Sequence, residues 1–319
     1  MKILVTGGAG FIGSNVVDAY IKAGHEVVVV DNLYSGKREN LNPQARFYLM
    51  DIRSPELGKM LEFERPEIIN HHAAQISVPA SVEDPLFDAS VNIDGFLNIL
   101  EGARNYRVRK IIFISSGGAI YGEAEEYPTS ESSPALALSP YAIAKAVSEN
   151  YLAFYRHQHG LDFTVLRYAN VYGPRQVPHG EAGVVAIFMD RLLSERPCTI
   201  YHYPDAPMGM IRDYCFVGDV VQANLLALEL GSGSAFNIGT GRETKTRELF
   251  DAICFAIERK RPLDPALKEP LTAIARPGDL SRSCLLVDRA RKGLKWAPTT
   301  VLEDGLVETL KWKLSALAA

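Results

Sequence analysis

The chain opens Lys2-Ile3-Leu4-Val5-Thr6-Gly7-Gly8-Ala9-Gly10-Phe11-Ile12-Gly13, a short apolar run followed at once by four glycines within seven residues. Two overlapping patterns are satisfied: G-x-x-G-x-x-G at Gly7, Gly10 and Gly13, and G-x-G-x-x-G at Gly8, Gly10 and Gly13. The run Lys2–Thr6 reads as a buried strand, and the apolar periodicity of Ile12–Ala23 reads as a helix. Between them the backbone must reverse tightly and leave its N–H groups bare, which glycine permits. A helix N-terminus placed there offers unpaired donors and a positive dipole end to a pyrophosphate. A plain glycine turn would use the same residues, and the end of the second strand separates the two readings. Asp31 ends that apolar run; an acid there accepts hydrogen bonds from ribose hydroxyls and repels a 2′-phosphate, pointing to NAD rather than NADP.

Outward from this turn, Glu26–Val30, Arg46–Met50, Glu67–His71, Lys110–Ser115 and Asp162–Tyr168 read as further buried parallel strands. Helical patterns lie near Pro55–Phe63, Val91–Asn105 and Tyr141–His157. This alternation predicts a Rossmann-type doubly wound parallel sheet over residues 1–169. Beyond Tyr168 the rhythm loosens, and residues 170–319 are expected to form a smaller C-terminal α/β substrate-binding domain, some of whose segments return to the sheet. A last amphipathic helix is expected over Leu302–Leu314 with Trp312 on its apolar face.

Of the 319 residues, 47% are hydrophobic and 23% charged, with a formal net charge of −4, which excludes a disordered or collagen-like chain. The acidic balance argues against a nucleic-acid partner. Cys198, Cys215, Cys254 and Cys284 form no C-x-x-C pair and predict reduced thiols in a cytoplasmic protein. The start is too short of apolar residues for a signal peptide. No run approaches the roughly 18 apolar residues of a spanning helix, so no membrane partner is expected.

Tyr141-Ala142-Ile143-Ala144-Lys145 places a phenol and an ammonium on one face at the start of a helix. The same spacing occurs on ordinary helix surfaces. Here Ser115 and Ser116 end the preceding strand, where open α/β sheets bind ligands, so serines, Tyr141 and Lys145 are expected to meet the glycine turn in one crevice. A nearby Lys⁺ and the helix N-terminus would lower the phenol from about 10 towards working pH and make Tyr141 a base. Asp51 after the third strand either meets the adenine amino group or caps the turn Ile52–Ser54. His71-His72 has no third ligand at metal spacing and reads as strand-end packing, so no metal is expected. The run Glu258-Arg259-Lys260-Arg261 reads as a solvated helix end.

Taken together, these features resemble the extended short-chain dehydrogenase/reductase family, and within it the UDP-glucose and UDP-N-acetylglucosamine 4-epimerases. The resemblance runs nearly the whole chain, through Asp31-Asn32-Leu33, Ser35-Gly36, Asp51-Ile52, His72-Ala73-Ala74, Asn92, Ser115-Ser116, Tyr141 and Lys145. It continues through Arg167-Tyr168-Ala169-Asn170-Val171-Tyr172-Gly173-Pro174, Arg212-Asp213-Tyr214 and Arg276-Pro277-Gly278-Asp279. It implies a tightly held NAD against Gly7, Gly10, Phe11, Ile12, Gly13, Asp31, Asn32, Asp51, Ile52, Ala73, Ala74, Asn92, Tyr141 and Lys145. Tyr141 would take the proton of the sugar 4-hydroxyl, Lys145 would bind the nicotinamide ribose, and Ser115, Ser116, Asn170, Arg212 and Arg276 would meet the UDP-sugar. The keto sugar would turn over before reduction on its other face.

The chain also departs from the family pattern. Aligned on Tyr121-Gly122, it has Gly117 where the family carries a Ser or Thr hydroxyl, leaving Ser116 or a water to orient the substrate. Gly118 and Ala119 stand where the sugar-nucleotide 4,6-dehydratases carry an acidic pair, which argues against dehydration. The loop Tyr201–Met210 is longer than in relatives, either reshaping the pocket or lying on the surface. In this family the residue matching Ser283 acts as a gate, and its small side chain implies that N-acetylated UDP-hexoses are admitted. Relatives dimerise through the helices matching Val91–Asn105 and Tyr141–His157; Phe96, Leu100, Tyr151 and Phe154 serve either such an interface or the sheet. A UDP-glucuronate 4-epimerase, an NAD(P)-dependent sugar-nucleotide reductase and a non-catalytic NAD-sensing protein are the alternatives.

Overall fold

The computed structural model describes residues 1–178, 183–275 and 279–318. Five β-strands and their crossovers build the first part: β1 (Lys2–Thr6), α1 (Phe11–Lys22), β2 (Glu26–Asp31), β3 (Arg46–Leu49), α2 (Leu57–Glu64), β4 (Ile68–His71), α3 (Val78–Glu83), α4 (Pro85–Ala89), α5 (Gly95–Asn105) and β5 (Lys110–Ser116). Then follow α6 (Pro140–His159), β6 (Asp162–Tyr168), β7 (Asn170–Tyr172), α7 (Val184–Leu193), β8 (Thr199–His202), β9 (Ile211–Arg212), β10 (Tyr214–Phe216) and α8 (Val217–Ala227). The chain ends through β11 (Ser234–Ile238), β12 (Thr244–Lys245), α9 (Thr246–Glu258), β13 (Leu271–Ile274), β14 (Arg282–Ser283), α10 (Asp288–Gly293) and α11 (Leu302–Ala318).

Seven of these strands form one parallel sheet in the order β11-β6-β5-β4-β1-β2-β3. This is the doubly wound arrangement, with its topological switch between β1 and β4. Strand limits agree with the apolar runs to within a residue because a strand covered on both faces must be apolar throughout. One strand comes from the C-terminal part: Ser234–Ile238 pairs with Thr164–Tyr168, and α10 packs beside it. The remaining short strands form a three-stranded sheet, β12-β9-β14, and the pairs β10-β7 and β13-β8.

Helix α6 has the start and stop its sequence encodes. Ser139 Oγ accepts from Ala142 N, Pro140 occupies the first turn, and Gly160 ends the helix at φ +69°. The helix expected over Val91–Asn105 is regular only from Gly95. A π turn spans Ser90–Asp94 between α4 and α5, closed by Gly95 N–H to Ser90 O. That wider turn carries Asn92, which is buried.

Phe96 and Leu100 are fully buried in the cluster between sheet and helices, so the sheet claims them. Tyr151 packs against the same cluster, and Phe154 is half exposed. The last helix runs on to Ala318, but Trp312 is only half-buried and lies outside the core. Leu302, Leu306, Val307, Leu310 and Leu314 make the apolar face. The buried tryptophan is Trp296, whose indole N–H donates to Asp219 O at 2.8 Å. Among the described residues no helix is long and apolar enough to cross a membrane.

Candidate active site

At the switch point the carboxyl ends of β1, β2, β4 and β5 open into a cleft of about 450 Å³. Gly7 stands at φ +70°, and a Cβ on it would lie 2.7 Å from Ala73 N. On Gly13 a Cβ would lie 2.2 Å from Gly7 O, so only glycine lets α1 start this close to the strand. Gly8 faces inward instead, its hydrogen side against Val29, so it serves packing. Helix α1 has neither a side-chain cap nor an acid in its first turn, leaving its N-terminal donors and positive end for an anion.

Asp31 is buried; its Oδ2 accepts from Ala9 N at 3.0 Å and its Oδ1 from Leu33 N at 2.8 Å. Burial pushes its carboxyl up, and these backbone bonds pull it down. Asp51 lies in the cleft wall and is held well below the usual carboxylate range by the Arg53 guanidinium, with Asn32 Nδ2 donating to it at 2.9 Å. It also accepts from Arg53 N, so it both closes the local turn and faces the cleft. These residues fit a dinucleotide: a bare helix end for the pyrophosphate, and fixed carboxylates where ribose and adenine would sit.

Gly7, Gly10, Phe11, Ile12, Gly13, Asp31, Asn32, Asp51, Ile52, Ala73, Ala74, Ser115, Ser116, Tyr141 and Lys145 all line this one cleft. Asn92 does not. It is buried behind the wall, its Oδ1 accepting from Gln75 N at 3.0 Å. Lys145 Nζ donates to Ile114 O at 2.9 Å and sits 5.9 Å from the Tyr141 ring centroid. The Ser116 hydroxyl stands close enough to the Tyr141 phenol to favour its ionised form. The expected lowering of the phenol is absent: desolvation dominates and pushes Tyr141 up to about 12, Ser116 opposing and Asp88 adding to the rise. The same desolvation brings Lys145 down to about 8, with Asp88 and Glu149 opposing it. A neutral phenol in a low-dielectric wall is the resting state of this chain alone.

Asn170 and Ser283 do not line this cleft; they lie past Ser116, around Gly118. A Cβ on Gly118 would lie 3.2 Å from Asn170 Oδ1 and 3.9 Å from both Ser116 Oγ and Ser283 Oγ, so the three side chains gather at this glycine. Gly117 points the other way: its Cβ would lie 2.5 Å from Leu285 Cδ1 and 3.3 Å from Arg167 O. A hydroxyl at position 117 would therefore enter the core, and Ser116 is the residue that turns its hydroxyl to Tyr141. Alignment on Tyr121-Gly122 puts the expected hydroxyl one residue too far along.

Arg212 is spent on backbone carbonyls, donating to Ile211 O at 2.9 Å and Leu280 O at 2.7 Å, which ties β9 to the segment before β14. Arg276 lies outside the described residues. In the long loop, Tyr203 donates from its hydroxyl to Asp279 O, and Met210 is buried while Met208 is exposed. His71 is buried, bonded to Thr6 Oγ1 at 2.8 Å and stacked on Phe96, as strand-end packing requires. Burial keeps His72 neutral, at about 3.

A polar network behind the serines was not apparent from the residues alone. Glu149 on α6 accepts from Ser115 Oγ at 2.6 Å and from Arg167 Nε at 3.0 Å. Arg167 Nη1 reaches Tyr121 OH at 2.8 Å, and Tyr121 donates to Asn237 Oδ1 at 2.8 Å. Gln75, Tyr34, Phe87 and Gln176 also line the cleft. Proximity to the His72-Ala73-Ala74 and Gly173-Pro174 markers was the available signal for Gln75 and Gln176; nothing local marks Tyr34 or Phe87.

Residues 3–239 match the model of the NAD dependent epimerase/dehydratase family. The chain is 47% identical to the UDP-glucose 4-epimerase of Thermotoga maritima, crystallised with UDP-glucose, covering 99% of this chain and 100% of that one at a TM-score of 0.93. With the Thermus thermophilus UDP-glucose 4-epimerase in complex with NAD the values are 44% identity, 99% and 100% coverage and a TM-score of 0.91. A UDP-N-acetylglucosamine 4-epimerase from Methanobrevibacter ruminantium, in complex with UDP-N-acetylmuramic acid, is 34% identical over 99% of this chain and 98% of that one, with a TM-score of 0.90. On its glycine turn, its Tyr141–Lys145 helix and these matches along the chain, the protein belongs to the NAD dependent epimerase/dehydratase family.

Proposed function

We propose that the protein interconverts the C4 epimers of a UDP-hexose, UDP-glucose and UDP-galactose together with their N-acetylated counterparts, through a 4-keto sugar and with NAD retained throughout. The observation that carries this reading is the meeting of Ser116, Tyr141 and Lys145 with the bare glycine turn in one cleft, in a chain so similar to a UDP-glucose 4-epimerase. NAD, when bound, supplies a hydride acceptor and a positive ring that favours the phenolate.

In this reading Tyr141 takes the proton from the 4-hydroxyl and returns it after the keto sugar has turned. Ser116 holds that hydroxyl in line. Lys145 binds the nicotinamide ribose, and its charge favours the phenolate once the cleft is loaded. Asn170 and Arg276 hold the diphosphate and uridine, and Arg212 joins them only by releasing the Ile211 and Leu280 carbonyls. Arginine suits this because its planar fork donates to two phosphate oxygens at once. Residues 1–169 carry the cofactor and 170–319 the sugar nucleotide, and the small side chain of Ser283, near Gly118, is the gate that admits an N-acetyl group. Buried thiols at all four cysteines support a cytoplasmic setting. The exposed Ile143 and Phe154 of α6 support a homodimer through the helices expected over Val91–Asn105 and Tyr141–His157.

The decisive experiment is incubation of the purified protein with UDP-galactose and with UDP-N-acetylgalactosamine, without added cofactor, followed by separation of the C4 epimers. Turnover is expected, and Tyr141→Phe should lower kcat by about 10²–10⁴-fold. A Tyr141→Phe protein as fast as wild type would exclude this mechanism. A requirement for added NAD(P)H would point to a reductase instead, and bound NAD without turnover to a sensor.

A further inference from the structure

Asp88 in α4 is 1% exposed, and no step of the proposed mechanism uses it. Its Oδ1 accepts from Gln75 Nε2 at 2.8 Å and from Asn92 Nδ2 at 2.9 Å, while its Oδ2 is buried without a hydrogen-bond partner. A carboxylate out of water with one oxygen unpaired is costly unless a cation stands near. The clamp that holds it is built for the purpose. The π turn Ser90–Asp94 brings Asn92 back one turn from Asp88; Asn92 Nδ2 also donates to Gln75 O at 3.0 Å, and Asn92 O accepts from Ser148 Oγ at 3.3 Å. Ser148 lies one turn beyond Lys145 on α6, so Lys145 and the hydroxyl that ties Asn92 to α6 share one face of that helix; Lys145 Nζ itself donates to Ile114 O, and Asp88 faces it from beyond ion-pair distance across the helix packing.

We infer that Asp88 is the counter-charge of Lys145, a positioning residue clamped by Gln75 and Asn92 so that the ammonium remains charged inside the closed cleft. This rests on the reading of Tyr141 and Lys145 as the catalytic pair. Electrostatics agree in both directions: Asp88 leads the influences opposing the desolvation of Lys145, and Lys145 favours the Asp88 carboxylate. The other charged groups nearby are Glu149 on α6, which also supports Lys145, and His71 and His72 at the end of β4, kept neutral by burial. Arg53 reaches Ser90 from the outer side but is paired with Asp51, and Glu83 and Asp84 lie exposed just before α4.

Lys145 is held at about 8 when folded and at 10.5 when unfolded, so between these values only the unfolded chain keeps the proton and stability rises with pH. The charge pair therefore matters below about pH 8 and vanishes above it. Urea midpoints of the full-length wild type, Asp88→Asn, Lys145→Met and the double variant, at acidic and alkaline pH, read this directly. Asp88→Asn should lower the midpoint at pH below 8, lower it less at alkaline pH, and not lower it in the Lys145→Met background. An equal loss at both pH values and in both backgrounds would mean a purely structural clamp and overturn the inference. If Asp88→Asn alone does not fold, rescue of folding by Lys145→Met supports the pairing, and failure of both overturns it. In turnover, Asp88→Asn should move the alkaline limb of kcat down by about one pH unit with KM for UDP-galactose unchanged; an unmoved limb counts against it. Wild-type turnover is scored separately, so the pairing and the proposed activity fail independently.

Discussion

Replacing Gly117 by serine separates the family pattern from the geometry of this chain. The pattern suggests that Gly117→Ser restores a missing hydroxyl and raises activity. The structure requires the opposite. The new Cβ would stand 2.5 Å from Leu285 Cδ1 and 3.0 Å from Cδ2, and Leu285 is itself 1% exposed, packed among core residues, so it has nowhere to retreat. Overpacking of this kind costs about 1–3 kcal/mol, and the added hydroxyl gains at most the Arg167 carbonyl as acceptor. The thermal midpoint should fall by several degrees. Activity per folded molecule should be no higher than wild type, because the side chain never reaches the cleft. Ser116→Ala is the contrasting variant: it removes the hydroxyl beside the Tyr141 phenol, so kcat should fall by about 10²-fold with little change in midpoint. The assays are thermal unfolding and conversion of UDP-galactose coupled to a UDP-glucose dehydrogenase. A Gly117→Ser protein with an unchanged midpoint and a raised kcat would refute the reasoning.

Gly13→Ala drives a methyl to within 2.2 Å of Gly7 O, so α1 must move off the turn. Nucleotide content of the purified protein should drop sharply, read by absorbance after denaturation; full occupancy would contradict the close approach. Arg167→Met leaves the Glu149 carboxylate, 13% exposed, with only Ser115 as partner, and should cost about 3–5 kcal/mol in urea unfolding. Removing both charges with Glu149→Leu should recover much of that, and a double variant no better than the single would show that the pair is not the cause. Ser283→Tyr places a bulky ring near Gly118 and Asn170 and should abolish turnover of UDP-N-acetylgalactosamine while sparing UDP-galactose. Equal loss for both sugars would remove the gate.

The central sheet was legible because its evidence is local. Val27–Val30 and Ile111–Ile114 are apolar at every position, as strands covered on both faces must be, and the glycine turn declares a backbone approach that no side chain tolerates. The Tyr141–Lys145 spacing likewise follows from helix periodicity alone. Gly117 and Gly118 are indistinguishable as letters; only the packing of Leu285 against one and of Ser116, Asn170 and Ser283 against the other tells which faces the core and which faces polar side chains. Trp312, expected on the apolar face of the last helix, lies outside the core because the docking angle of α11 belongs to its partners, not to its own period. The protonation of Tyr141 also lay beyond the sequence. Its neighbours were readable, but the desolvation that outweighs them exists only once sheet, α4 and α6 exclude water together. Asp88 marks the same limit: by sequence it is an ordinary helical acid, and it becomes a buried charge beside Lys145 only because a π turn and a second helix close over it. Sequence by itself determined the elements, the glycine turn and the placing of Tyr141 and Lys145 on one helix face, since each is written in neighbouring residues. Tertiary structure decided which side chains line the cleft and which charges they carry, since burial and field are properties of everything packed around a residue.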